Sequence, residues 1–222
     1  VLERQGEGDG SSTFGVVAGI EEWNEPNRAN LEALLRWFER ERVEAIIVVG
    51  GIGPDRASTL DALQLMAASK VPLFPLLGSS VDFAGYRRAV AQAKQNHDNI
   101  VDLTLARMVR WDGVDIVSLP GYHNPYYLGH RRGGCAYREE DVTALGELIG
   151  DAEQPVLLVS AAPPRGKTLE ALDRARGGVN IGDPNLAKLI VEREVPFGLF
   201  GHVYEAGGQA ISDVAGGAEV PP

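Results

Sequence analysis

The chain has 222 residues, 44% of them hydrophobic and 23% charged, with a formal net charge of −10. That length suits one large soluble domain with a sizeable core. The acidic balance disfavours binding to nucleic acid or to an anionic membrane surface. No apolar run approaches the ~20 residues a membrane-spanning helix requires, and the lone Cys135 can build neither an intramolecular disulfide nor a zinc framework. The first residue is Val1, so a removed N-terminal signal stays open, and a soluble, cytoplasmic location is the default expectation.

Residues 1–12 are polar and Gly-rich and are expected to form a flexible tail. Phe14 to Ile20 is an apolar run expected as a buried strand. A helix follows, with Asn30 as its candidate cap and Leu31, Leu34, Leu35 and Phe38 at helical spacing. Ala45 to Val49 reads as a second buried strand, Leu60 to Ala68 as a helix, and Val71 to Leu77 as a third strand. Then come a helix over Tyr86 to Gln95, a strand over Val114 to Leu119 and a helix over Glu139 to Ile149. The pattern closes with a strand over Pro155 to Ser160, a helix over Asn185 to Glu194 and a strand over Phe197 to Phe200. Buried strands alternating with amphipathic helices imply a layered α/β domain over 13–212, followed by a loop-like C-terminal tail, 213–222.

In layered α/β folds, ligands sit at the carboxyl ends of the strands. Here those ends read VVAGIE, VVGGIG, LLGSSVD, LVSAAPPRG and LFGHVYEAGG. The series resembles the calcineurin-like metallophosphoesterase superfamily, whose pattern at these places is D-x-H, G-D, G-N-H-[DE], a His often followed by Ala-Pro-Pro, and G-H-x-H. The resemblance implies a four-layer sandwich: two mixed β-sheets packed face to face and flanked by helices. It also implies a site where two divalent metal ions about 4 Å apart hold the attacking and leaving oxygens of a phosphoester.

Matched position by position, this chain is a degenerate member. The first-motif Asp and His fall on Gly19 and Glu21, and the metal-bridging Asp on Gly51. The third-motif Asn and His fall on Ser79 and Ser80, and the fourth-motif His on Ala161. His202 matches the last motif, but its final His is Tyr204. Glycine and alanine supply no donor atom, so neither a metal nor another cofactor is expected. The implied function is a pseudo-phosphatase acting in binding or scaffolding. The alternative is a phosphoester hydrolase with an altered or single-metal site.

The remaining polar residues have competing readings. His202 is a lone ligand or a buried hydrogen-bonded histidine. Glu21 and Glu22 are a cation pair or a solvated helix start. Ser79 and Ser80 could include a nucleophile, but no histidine is placed by sequence to activate it, and serines after a strand read as turn or cap residues. The loop Tyr122 to Tyr127 holds His123 and is followed by Arg131; with Arg165 and Lys167 it could rim an anion site, or these residues could be a packed loop and a solvated helix start. Cys135 reads as a small buried residue rather than a reactive thiol. The resemblance implies further closing strands after the last motif, but only Tyr204 to Pro222 follow it here, so either the chain is a fragment or those strands are absent or reorganised. An open sheet edge is then a route to oligomers. The expected partner is a protein or a small anionic ligand.

Overall fold

A computed structural model of the chain describes residues 2–3, 12–128, 133–167 and 171–207. The elements in chain order are β1 (Leu2–Glu3), β2 (Phe14–Val17), α1 (Glu25–Arg40), β3 (Ala45–Val49), α2 (Arg56–Ala67), β4 (Leu73–Leu76) and α3 (Phe83–Ala93). They continue with β5 (Met108–Trp111), β6 (Val114–Leu119), α4 (Glu139–Gly150), β7 (Val156–Ser160), β8 (Arg174–Ala175), β9 (Val179–Asn180), α5 (Pro184–Glu192) and β10 (Phe197–Phe200).

Two sheets organise the domain. One has five strands in the order β1-β5-β6-β7-β10, mixed because β5 and β6 form an antiparallel hairpin while the other pairs are parallel. The other has three parallel strands in the order β2-β3-β4. The central strands β3 and β7 are buried along their whole length, as continuous apolar runs covered on both faces should be. Pro75 sits inside β4 without an amide to donate, which is tolerated because β4 is an edge.

Three apolar clusters show four layers. Ile47, Phe74 and Leu76 of one sheet pack with Ile116, Leu157 and Val159 of the other. The outer face of the small sheet packs on α1, α2 and α3 through Phe38, Leu63, Met66 and Tyr86. The outer face of the large sheet packs on α4 and α5 through Val117, Leu158, Leu145 and Leu186. The α/β sandwich of sheets flanked by helices is therefore present as the strand-end motifs imply.

Local chemistry sets the element ends. Helix α1 starts before Asn30: Asn24 caps it by accepting a hydrogen bond from the Asn27 amide (3.0 Å), and Pro26 occupies the first turn. Asp55, Asp82 and Asp183 cap α2, α3 and α5 in the same way. Inside the segment expected as a loose tail, Leu2 and Glu3 pair with β5. The C-terminal tail and the chain after Gly207 lie outside the described residues. Up to that point nothing among the described residues pairs with the outer edge of β10, where Phe197 is exposed.

Candidate functional site

The parallel strands β2, β3, β4, β7 and β10 all deliver their carboxyl ends to one rim. There Gly19, Gly51, Ser79, Ala161, His202 and Tyr204 line a single hollow together with Val49, Gly50 and Gly78. Six positions matched from the strand-end motifs thus come together, although they span most of the chain. The space between them is small, about 10 Å³, which suits one water-sized group.

The wall nearest β2 and β3 is backbone against backbone. The Ile20 amide donates to the Gly51 carbonyl (2.6 Å), and the Gly53 amide donates to the Ile20 carbonyl (2.6 Å). Gly51 has φ +60, and a Cβ there would lie 3.0 Å from the Gly19 nitrogen. Gly19 has φ +74, and a Cβ there would lie 2.9 Å from Cε1 of Tyr204. Both positions combine left-handed backbone with close approach, the two circumstances that favour glycine. Tyr204 therefore covers Gly19, with its hydroxyl donating to the Glu21 carboxylate. Burial first, and then the hydrogen bond to Glu21, raise the Tyr204 pKa well above its usual value. Glu22 instead accepts from the Asn24 side chain (3.0 Å), beside the start of α1.

Across the hollow, Ser79 Oγ and His202 Nδ1 share a hydrogen bond of 2.8 Å. Ser79 sits in the turn between β4 and α3, and His202 just after β10 with φ +76, a conformation uncommon for a residue with a side chain. The imidazole packs against the buried ring of Tyr122, whose centroid is 4.4 Å away, with Tyr127 and His123 beside it. Tyr122 is itself anchored by a hydrogen bond from its hydroxyl to the Ile181 carbonyl (2.9 Å). Burial lowers the proton affinity of His202, opposed in part by the charge of Glu21, and burial also lowers that of His123. In the neutral tautomer that carries its proton on Nε2, Ser79 donates and His202 Nδ1 accepts.

The other singled-out residues lie elsewhere. Ser80 does not line the hollow, and its Oγ is buried without a partner among the described residues. His123 stacks on Tyr122 at 4.9 Å, so this aromatic loop forms the wall behind His202. Arg165 is exposed and donates to the Asn180 carbonyl (2.6 Å), while Lys167 is exposed; neither lines the hollow. Arg131 lies outside the described residues. Cys135 is half-buried, and burial raises its thiol pKa, which suits a packing residue.

Asp173 is the organising residue that sequence reasoning missed. It is fully buried and accepts from the Gly166 amide (3.0 Å), the Asn180 side chain (2.7 Å) and the Gly182 amide (3.0 Å). These bonds curl the Ala-Pro-Pro-Arg-Gly segment and the β8–β9 hairpin around one carboxylate. No local spacing reports such a set. Among the described residues, no three His, Cys, Asp or Glu side chains gather to hold a metal ion, and no helix is long and apolar enough to cross a membrane.

No family model and no curated protein sequence matches the chain. Solved structures match it in fold. The protein TT1561 of Thermus thermophilus is similar with a TM-score of 0.65 and 15% identity, over 89% of this chain and 83% of that one. The phosphopantetheinyl hydrolase of Mycobacterium tuberculosis is similar with a TM-score of 0.60 and 14% identity, over 95% and 88%. A dimetal phosphatase of Danio rerio is similar with a TM-score of 0.58 and 14% identity, over 90% and 83%. The fold is thus that of phosphoesterase-type proteins, and at these identities the likeness speaks for fold alone.

Proposed function

We propose that this chain is a phosphoesterase-fold protein that does not assemble a dinuclear metal centre and acts by binding or scaffolding rather than by metal-dependent phosphoester hydrolysis. The observation that carries this reading is the contact between Gly19 and Gly51. Two motif positions that the resemblance assigns to carboxylates have no side chain; a Cβ at Gly51 would press on the Gly19 backbone at 3.0 Å, and one at Gly19 would meet the Tyr204 ring at 2.9 Å. Ala161 supplies no donor either, and Ser79 and His202 are already bonded to each other. Two divalent cations require several anionic and imidazole donors converging on a space of about 4 Å. The residues present do not fit that group, and no reaction step is derived through it.

The partner in this reading is a protein or a small anion. Among the described residues nothing pairs with the outer edge of β10, and a strand from another chain would satisfy its backbone groups. Hydrolysis of bis(p-nitrophenyl) phosphate with added Mn²⁺ tests the loss of phosphoesterase chemistry. No turnover above a His202→Ala variant is expected. Mn²⁺-dependent turnover that EDTA abolishes and His202→Ala removes would restore the single-metal hydrolase alternative.

A further inference from the structure

We propose that Ser79 and His202 form a metal-independent nucleophilic dyad, able to take an acyl group from a small ester. The 2.8 Å bond between Ser79 Oγ and His202 Nδ1 is the contact a hydroxyl nucleophile needs with its base. The pair is built by two different strand ends, in the turn before α3 and just after β10, and it faces the hollow at which the five parallel strands converge. The strained backbone of His202 and the ring of Tyr122 hold the imidazole in place. Tyr122 is a positioning residue in this scheme: its ring packs on the imidazole, while its hydroxyl is held by the Ile181 carbonyl. The amides of Gly51 and Ser79, both wall residues, bond no acceptor among the described residues, and the scheme assigns the oxyanion to them.

The step balances without metal or redox partner. Ser79 Oγ bonds to the ester carbonyl carbon as its proton passes to His202 Nδ1. The bond from that carbon to the leaving oxygen breaks, and the alcohol departs with the proton. Water then adds to the acyl carbon, giving a proton to Nδ1. Ser79 Oγ leaves with that proton, and the carboxylic acid is released. Access requires the Tyr204 ring to swing away from Gly19. That ring is half exposed and is tied by its hydroxyl to the exposed Glu21.

The test is labelling with a fluorophosphonate probe in EDTA, read by peptide mass spectrometry, with p-nitrophenyl acetate hydrolysis in parallel. The proposal expects one adduct on Ser79, none in Ser79→Ala, labelling about 100-fold slower in His202→Gln, and faster labelling in Tyr204→Ala. EDTA separates this result from the phosphodiester assay, which depends on added metal. Absence of the Ser79 adduct from both the unaltered chain and a Tyr204→Ala variant that keeps its circular dichroism would overturn the dyad. So would acetate hydrolysis unchanged by Ser79→Ala.

Discussion

Two clusters near the strand ends use polar side chains in opposite ways. Around Asp173, one buried carboxylate meets three donors, and its acceptor capacity is spent holding the loop between β7 and α5. Around Ser79 and His202, one neutral hydrogen bond spans a hollow, and the surrounding wall is glycine backbone. A buried charge is tolerable when its hydrogen bonds are satisfied, and it then stabilises the fold. A pair whose remaining capacity is unspent contributes little to the fold and stays free for a ligand. Spent against unspent hydrogen-bonding capacity thus separates a structural polar cluster from a candidate site when both occupy the same rim.

Substitutions should separate the two clusters by stability. Asp173→Ala leaves three donors without their acceptor, and we expect a loss on the order of 3–5 kcal/mol in urea unfolding. A loss below about 1 kcal/mol would show that the loop does not depend on the carboxylate. Gly51→Asp restores the side chain the resemblance assigns to the metal bridge, but places it in left-handed backbone against Gly19. We expect about 2 kcal/mol of destabilisation and no gain of Mn²⁺ binding by calorimetry. At the small end, Ser79→Ala should cost less than about 1 kcal/mol, with the thermal midpoint nearly unmoved.

Acid sharpens the same contrast. Burial depresses the pKa of His202 below its ordinary value of 6.5, so the unfolded chain binds that proton more tightly than the folded one. Stability is then full above pH 6.5 and falls as the pH drops from there towards the depressed folded value. His123 is depressed in the same direction and adds to the slope. His202→Gln should flatten part of the pH dependence of the denaturation midpoint on the acid side of neutrality. An unchanged profile would mean that His202 takes up its proton as readily folded as unfolded.

Much of this architecture was legible in the amino-acid order, for a physical reason. Strands covered on both faces are written as apolar runs, and β3, β6 and β7 fall where those runs lie. The hairpin strand β5 was not legible, because Arg110 interrupts it and turns to pair with Glu153. The two-residue strands β8 and β9 are too short to carry any period. At the site, the convergence of Gly19, Gly51, Ser79, Ala161, His202 and Tyr204 followed from the motif series. The bond between Ser79 and His202 did not, since 123 residues separate them and no local spacing encodes their contact. Arg165 and Lys167 read either as the rim of an anion site or as a solvated helix start. The Asp173 loop turns the chain there instead and leaves both at the surface.

On the proposed reading, the glycine-lined rim does not hold two metal ions. A crystal grown or soaked with Mn²⁺ and examined by anomalous scattering at the manganese edge tests this without recourse to activity. No pair of peaks is expected in the hollow between Gly51 and His202. Two peaks about 4 Å apart at that position would contradict the reading, and would return the protein to metal-dependent phosphoester chemistry.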